Sequence, residues 1–287
     1  MQNRSIGHRQ VSAIGLGGMP MSIEGRPDRE QSLATIHAAL DAGVTLIDTA
    51  DAYCLDAGEV GHNELLIAEA LRTWGSDAGQ VLVATKGGHL RPGGAWTVNG
   101  DPAYLKRAAR ASATRLGVEA IGLYQFHRPD PAVPYADSIG ALSDLLDEGV
   151  IEQAGISNAS IEQIDIARGI LGERLVSVQN RFSPQYTAST AELEHCADLG
   201  LAFLPWSPLG GIGRASQVGA TQSVMSEIAR ARGVTPYQVV LAWELSLAPV
   251  VIPIPGASRP TSITDSARAA GLELDEAELV RIGNYLV

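Results

Sequence analysis

The sequence contains little lysine, little cysteine and no long uninterrupted hydrophobic run. Only Lys86 and Lys106 of its 21 basic side chains are lysines, so the lysine at position 86 needs an explanation unless chance placed it there. Cys54 and Cys196 lie far apart without a C-x-x-C spacing, and they give no indication of a disulfide framework or a zinc site. We therefore expect two reduced cysteines.

The charge balance and the hydrophobic pattern exclude several classes of partner. The 32 acidic residues give a net charge of −11, which argues against nucleic-acid binding and against a polybasic membrane anchor. Segment 239–257 is the most apolar, but Glu244, Ser246 and three prolines interrupt it and exclude a membrane span. The first residues lack the apolar stretch of a signal peptide. We expect a soluble, cytoplasmic protein with neither a nucleic-acid nor a membrane partner.

Short apolar segments alternate with segments of helical periodicity along the whole chain. Eight such strand and helix pairs predict one domain over residues 1–287, an α/β fold of the (β/α)8 TIM-barrel type. An N-terminal β-hairpin around 6–11 and a C-terminal helix at 276–285 complete the prediction. The predicted strands are 14–19, 44–49, 81–85, 121–126, 152–156, 175–179, 201–206 and 250–254.

A doubly wound dinucleotide-binding sheet is the alternative fold. Segment 15–20 nearly matches G-x-G-x-x-G, but Pro20 replaces the last glycine, and the next predicted helix begins too late to hold a phosphate. We therefore favour the barrel. Three polar residues mark helix starts: Asn63 is predicted to cap 64–72, Asp101 precedes 103–116, and Ser160 is predicted to cap 161–171.

Four ionisable residues follow neighbouring predicted strands at their carboxyl ends, where barrel enzymes place their active sites. They are Asp48, Tyr53, Lys86 and His127. Each alone has an ordinary structural explanation, such as a capping aspartate or a loop histidine. Because all four follow the carboxyl ends of neighbouring strands, their side chains are expected to lie together, and this arrangement predicts a catalytic site.

The sequence resembles the aldo-keto reductase family in motifs that occur in order over nearly the whole chain. These motifs are D-T-A-D-A-Y at 48–53, T-K-G at 85–87, L-Y-Q-F-H-R-P-D at 123–130, G-I-S-N at 155–158, Q-N at 179–180, W-S-P-L-G-G at 206–211 and I-P-G-A-S-R-P at 254–260. The resemblance implies NADPH-dependent reduction of aldehydes or ketones, with Asp48, Tyr53, Lys86 and His127 as the catalytic tetrad.

Elementary electrostatics explains why such a tetrad would work. A phenol has a reference pKa of about 10 and is a weak acid at neutral pH. An ammonium about 4 Å from Tyr53 stabilises the phenolate by roughly 4 kcal/mol at an effective dielectric near 20, before burial opposes this effect. Lys86 supplies that ammonium, Asp48 keeps it charged, and His127 donates a hydrogen bond to the substrate carbonyl.

The resemblance also implies a binding site for NADP(H), with NAD(H) as a weaker alternative. Trp206 replaces a tyrosine common in the family and offers a similar flat surface to the nicotinamide. Arg259, with Ser258, is predicted to bind the 2′-phosphate, although Gly256 and Ala257 replace a common Lys-Ser pair. The implied cofactor-binding residues are Gly18, Met19, Asp48, Ser157, Asn158, Gln179, Trp206, Ser207, Pro208, Leu209, Gly210, Gly211, Ile254, Gly256, Ser258 and Arg259.

Two other functions remain open on the sequence alone. One is a non-catalytic NADP(H)-sensing regulatory subunit, and the other is a barrel aldolase that forms a Schiff base on Lys86, which the neighbouring Asp48 would oppose. For the leading function we expect a small-molecule carbonyl substrate and an open site. Trp96 either lines the substrate mouth or packs its own loop, and Arg128 and Asp130 are expected to organise the loop after the fourth strand.

Overall fold

Strands and helices alternate along the chain in this structure, a computed structural model that describes residues 2–211 and 223–286. Seven parallel strands form one curved sheet whose spatial order follows the chain. Helices cover its outer face, so the strands are buried on both sides. The parallel sheet consists of β3 (Leu16–Gly17), β4 (Leu46–Asp48), β5 (Leu82–Gly87), β8 (Leu123–Phe126), β9 (Ala154–Ser157), β10 (Leu175–Gln179) and β11 (Ala202–Phe203). Two separate antiparallel hairpins pair β1 (Asn3–Ile6) with β2 (Arg9–Ser12) and β6 (His89–Leu90) with β7 (Thr97–Val98).

An eighth extended segment, residues 250–256, closes the sheet into a ring. Ile252 and Ile254 donate their N–H groups to the segment that contains β11, at 2.9 and 3.3 Å. On the other side the carbonyls of Pro253 and Pro255 accept hydrogen bonds from the β3 segment, at 2.9 and 3.0 Å. Because the prolines carry no N–H group, this side of the ladder has only half of its bonds, and the segment forms isolated bridges instead of a continuous strand. The predicted (β/α)8 barrel is confirmed.

The helices lie outside the ring in the expected alternation. None of the helices in the described residues is both long enough and apolar enough to cross a membrane. They are α1 (Arg29–Asp41), α2 (His62–Trp74), α3 (Pro102–Leu116), α4 (Tyr135–Asp147), α5 (Ile161–Leu171), α6 (Thr190–Leu199), α7 (Ser223–Arg232), α8 (Pro236–Leu247), α9 (Pro260–Arg268) and α10 (Glu276–Leu286).

The predicted cap at Ser160 is confirmed, and Asp101, predicted to mark a helix start, also caps its helix. Asp101 accepts a hydrogen bond from the N–H of Tyr104 at 2.7 Å, and Ser160 forms a capping box with Gln163. The predicted cap at Asn63 is wrong. Helix α2 begins at His62, two residues earlier than predicted, after Gly61, whose φ of +86° favours glycine.

Asn63 instead points its amide into the barrel wall. It donates to the carbonyl of Gly18 at 2.9 Å and to the Ser22 hydroxyl at 2.7 Å, and it accepts from the Thr49 hydroxyl at 2.6 Å. This buried amide therefore joins the turn after β3 to the loop after β4. A Cβ on Gly18 would lie 2.4 Å from the Asn63 side-chain oxygen, so glycine is needed there for packing.

The predicted N-terminal hairpin is present as β1–β2, and it closes the N-terminal end of the barrel. Its apolar side chains Ile6 and Val11 are fully buried against interior residues of the ring such as Leu46, Leu123 and Ile252. The C-terminal helix, also predicted, packs against α7. With one end filled by apolar side chains, the carboxyl ends of the strands form the open end of the barrel.

Candidate active site

The four predicted catalytic residues meet at the open end of the barrel. Asp48 ends β4, Tyr53 lies in the loop that follows it, Lys86 belongs to β5, and His127 directly follows β8. Their exposed fractions are 2%, 6%, 0% and 8%. The parallel register of β4, β5 and β8 brings these strand ends to one level, which is what the sequence pattern predicted.

The Lys86 ammonium is the centre of this cluster. Its Nζ donates to Asp48 Oδ1 at 2.6 Å, to the carbonyl of Thr49 at 2.8 Å and to Tyr53 Oη at 3.0 Å. Three acceptors match its three N–H donors, so no donor is left unpaired in a buried position. Burial lowers the pKa of Lys86, but the carboxylate of Asp48 and the phenol of Tyr53 together raise it above its ordinary value. The side chain is therefore a cation.

Two glutamines hold the other oxygen of the Asp48 carboxylate. Gln179 Nε2 donates to Asp48 Oδ2 at 2.7 Å, and Gln125 Nε2 lies 3.3 Å from the same oxygen. The carboxylate is thus fixed from both sides and can keep the lysine in one position. The sequence did not predict a role for Gln125, which lies in β8 two residues before His127.

Burial and the lysine act on Tyr53 in opposite directions. Burial raises the pKa of the phenol above its ordinary value, and the Lys86 ammonium lowers it by a smaller amount. The pKa of Tyr53 is therefore not lowered overall, as the proximity of Lys86 alone would predict, because burial destabilises the phenolate more than the lysine stabilises it. Tyr53 carries its proton at neutral pH.

His127 is a neutral imidazole that faces the tyrosine. Its backbone N–H donates to the carbonyl of Gly87 at 2.9 Å, and its ring centroid lies 5.7 Å from that of Tyr53. Burial, followed by the positive charge of Lys86, lowers the pKa of His127 well below its ordinary value. A neutral ring can donate one hydrogen bond, as the polarisation of a carbonyl oxygen requires.

A second histidine lies beside the tetrad on a small hairpin that the sequence did not predict. The hairpin pairs β6 with β7, and it carries His89 and Trp96 to the mouth of the site. The His89 ring meets the His127 ring edge to face at 4.3 Å. Trp96 is 43% exposed and stacks on the buried guanidinium of Arg91 at 4.0 Å. Trp96 therefore both lines the mouth and packs its own loop.

Two buried acids lie behind the tetrad. Glu64 accepts hydrogen bonds from Thr85 at 2.5 Å and from Arg115 at 2.6 Å. Burial, with the nearby charge of Glu64, raises the pKa of Asp51 to about 8. Asp51 is therefore mostly protonated at neutral pH, and the cation of Lys86 is neutralised by Asp48 alone.

A cleft of about 1210 Å³ extends from the tetrad along the open end of the barrel to the N-terminus of α9. Most of the predicted cofactor residues line it, but Gly18 and Gly210 do not. The predicted residues in the lining are Met19, Asp48, Ser157, Asn158, Gln179, Trp206, Ser207, Pro208, Leu209, Gly211, Ile254, Gly256, Ser258 and Arg259. Five further lining residues were not predicted from the sequence: Thr235, Tyr237, Thr261, Ser262 and Asp265. Their only signal in the sequence is that they lie in α8 and α9 or directly before α8.

The cleft has the groups that a phosphorylated dinucleotide needs. Trp206 lines it, and its Nε1 donor is buried without a partner among the described residues. Ser207 has a φ of +56°, a strained conformation that is typical of functional loops. At the far end Arg259 is exposed at the N-terminus of α9, where the helix dipole adds a positive field. The residues present therefore fit a ligand with a flat ring at one end and a phosphate at the other.

Comparison with known proteins agrees with this geometry. The model of the aldo/keto reductase family matches residues 13–285. An uncharacterised oxidoreductase of Schizosaccharomyces pombe is 32% identical over 282 residues, which cover 96% of this chain and 87% of the relative. A 6-dehydroglucose reductase of Novosphingobium aromaticivorans is 32% identical over 275 residues, covering 93% and 89%.

A solved structure extends the comparison to three dimensions. The crystal structure of an aldo-keto reductase from Klebsiella pneumoniae in complex with NADPH superimposes with a TM-score of 0.82 at 26% identity, covering 100% of this chain and 96% of that one. The family model spans both the tetrad and the cleft. This chain therefore belongs to the aldo/keto reductase family.

Proposed function

We propose that the protein is an oxidoreductase that uses NADP(H) to reduce aldehydes or ketones to alcohols. The observation that carries this proposal is the 3.0 Å contact between the Lys86 ammonium and the Tyr53 hydroxyl at the end of a cleft that fits a dinucleotide. The family membership, the NADPH complex of the Klebsiella relative and the named reductase of Novosphingobium support it. We further propose a small-molecule carbonyl partner and a cytoplasmic location, with neither nucleic acid nor membrane as partner.

Each member of the tetrad has a distinct task in this reaction. When bound in the cleft, NADPH would supply the hydride that the carbonyl carbon receives. Tyr53 donates its proton to the carbonyl oxygen, and Lys86 stabilises the phenolate that remains. Asp48 keeps the lysine charged and oriented. His127, neutral in its buried position, donates a hydrogen bond that aligns the carbonyl and stabilises the charge that develops on its oxygen.

The cleft residues divide into a nicotinamide end and a phosphate end. Gln179 donates its side-chain Nε2–H to Asp48, which leaves its side-chain oxygen Oε1 to accept from a carboxamide. Ser157 and Asn158 lie beside it, and Trp206 offers a ring for stacking. Arg259 would hold a 2′-phosphate, because its guanidinium makes no ion pair within the described part of the chain. A guanidinium can bind two oxygens of a phosphate through two parallel hydrogen bonds.

The geometry opposes the aldolase alternative. A Schiff base requires a neutral lysine, whereas Lys86 is a cation with three acceptors and its carboxylate partner at 2.6 Å.

An enzyme assay separates all three functions. Oxidation of NADPH on addition of an aromatic aldehyde supports the reductase. NADPH binding without turnover over a broad panel of aldehydes and ketones would indicate a regulatory subunit, and borohydride trapping of substrate on Lys86 would indicate an aldolase.

A further inference from the structure

Arg128 is a charged side chain of the cleft that the proposed reaction does not use. It directly follows His127, it is exposed, and it lines the substrate end of the cleft. Within the described residues it makes no ion pair, whereas arginines such as Arg26, Arg115 and Arg174 each meet a carboxylate. An unpaired guanidinium beside a reacting centre can bind an anionic group of the substrate.

Two hydrogen bonds hold the Arg128 guanidinium against Asn158 and His89, which are neighbours of the tetrad residue His127. Nη2 donates to Asn158 Oδ1 at 3.1 Å, and Nε lies 3.4 Å from His89 Nε2. His89 Nδ1 lies 3.0 Å from the carbonyl of Thr97, which can only accept, so Nδ1 carries the proton and Nε2 is the acceptor for Arg128. These contacts leave Nη1 without a bond in the described part of the chain. The guanidinium is thus positioned and still has donors to offer.

The other charged groups of the cleft do not neutralise Arg128. Asp48 is paired with Lys86, and Asp265 accepts hydrogen bonds from Thr235 and Gln238 beside α8. His89 adds no charge, because burial lowers its pKa and the carbonyl of Thr97 fixes its neutral form. Among the residues that the structure describes, the substrate end of the cleft therefore has one solvent-exposed cation, Arg128, without a balancing anion.

A chain of side-chain contacts connects this cation to the groups that would flank the reacting carbonyl. The Tyr53 and His127 rings, which would flank the carbonyl, are 5.7 Å apart, and the His89 ring follows at 4.3 Å from His127. Arg128 Nε in turn contacts His89 Nε2. Trp96 meets both Tyr53 and His89 edge to face, at 6.5 and 5.4 Å, and forms an aromatic wall along this path.

We propose that Arg128 binds a carboxylate of the substrate, so that the preferred substrates are aldehydes that carry a carboxylate across a flat ring or a short chain from the carbonyl. This inference rests on the proposed function and narrows it to a substrate class. The carboxylate takes no part in the chemistry: the aldehyde gains a hydride from NADPH and a proton from Tyr53, and the product is a hydroxy acid. A planar guanidinium can meet a carboxylate through two parallel hydrogen bonds.

The test compares 4-carboxybenzaldehyde with its neutral methyl ester in wild type, Arg128→Gln and Arg128→Lys. We expect wild type to favour the acid in kcat/KM, and Arg128→Gln to lose roughly 10- to 100-fold on the acid, mainly through KM, with little change on the ester. Arg128→Lys should keep part of the preference. Arg72→Gln, which removes an exposed charge on α2, is the control and should leave both values unchanged. Equal losses on acid and ester, or a wild-type preference for the ester, would overturn the proposal.

A binding measurement separates this inference from the proposed function. Benzoate titrated into wild type and Arg128→Gln, with tryptophan fluorescence as the signal, reports carboxylate binding without turnover. Tighter binding of benzoate to wild type than to Arg128→Gln supports the carboxylate site, whether or not the aldehydes are reduced. Failure to reduce either aldehyde would count against the proposed reductase but not against the carboxylate site. Equal affinity for both proteins would refute a carboxylate site at Arg128 even if reduction proceeds.

Discussion

The two halves of the barrel treat buried charge differently. In the half formed by β4, β5 and β8, the buried lysine has three acceptors and Glu64 is bound on both oxygens. In the other half, Glu244 on α8 is fully buried, and neither of its carboxylate oxygens has a partner among the described residues. Burial alone raises the pKa of Glu244 well above its ordinary value.

The difference shows that burial does not by itself make an ionisable group functional. Lys86 and Asp48 are useful because partners keep both in their charged forms. Glu244 has the same degree of burial without the partners, and the neutral acid is the form that its surroundings favour. Removing one partner from the first half should therefore harm the protein, whereas removing the carboxyl group from the second half should help it.

The largest effect is expected for Lys86→Met. This change leaves the Asp48 carboxylate buried without its counter-ion, which typically costs about 3–5 kcal/mol, and it removes the cation beside Tyr53. Urea unfolding should show the loss of stability, and NADPH-coupled reduction should fall below detection. The double variant Lys86→Met/Asp48→Asn should regain much of the stability but none of the activity. A double variant no more stable than the single one would contradict the role given to this pair.

Tyr53→Phe should affect activity far more than stability, since it removes only one of the three acceptors of the Lys86 ammonium. It deletes the proton donor, while Lys86 keeps its bonds to Asp48 and to the Thr49 carbonyl. We expect kcat to fall by roughly 10²- to 10⁴-fold, as for the loss of a general acid, with the dissociation constant of NADPH unchanged. Stopped-flow turnover and a fluorescence titration of NADPH measure the two quantities. Turnover close to that of wild type would show that another group supplies the proton.

The fold and the tetrad were predictable because their signals are local. Strand ends, helix caps and short motifs around Asp48, Lys86 and His127 lie within a few residues of the side chains they position. Their convergence follows from the rule that parallel strands in a barrel present their carboxyl ends together. The boundaries were less accurate: β3 is shorter than predicted because Met19–Met21 forms a 3-10 turn, and prolines interrupt the closing segment.

What the sequence did not predict depends on contacts between distant segments. Asn63 looked like a helix cap, yet its amide binds a carbonyl 45 residues away. His89 reaches the active site because it lies on the β6–β7 hairpin. This hairpin has few apolar residues, so the sequence pattern does not predict it. The pKa of Tyr53 depends on how deeply the loop after β4 is buried, which charge proximity to Lys86 cannot reveal.

The preference for NADPH over NADH tests the role of Arg259, which is exposed at the N-terminus of α9 in the second half of the barrel. Arg259→Ala should weaken NADPH by roughly 10- to 100-fold and leave NADH nearly unchanged, because only NADPH carries the 2′-phosphate that the guanidinium would bind. Dissociation constants for both cofactors, measured by fluorescence at two salt concentrations, check this, and the NADPH value of wild type should be the more salt-sensitive one. Equal weakening of both cofactors would place Arg259 elsewhere on the ligand.

The smallest effect, and the only gain, is expected at Glu244. Glu244→Met fills a similar volume without a polar group, so the free energy of unfolding should rise by about 1–3 kcal/mol. Because the pKa of this acid is higher in the folded than in the unfolded protein, wild type loses stability as the pH rises from the unfolded pKa towards the folded one. The gain should therefore be larger at pH 8 than at pH 5.5.

Glu244→Gln separates the charge from the polarity. The amide remains buried without a known partner but cannot ionise, so its advantage over wild type should be small at pH 5.5 and should grow towards pH 8, by at most about 1.4 kcal/mol per pH unit. Glu194→Gln, at an exposed position of α6, is the matched control and should show no such growth. If Glu244→Gln differs from wild type by the same amount at both pH values, the carboxyl group is not held neutral by burial. The contrast between the two halves of the barrel would then not rest on ionisation.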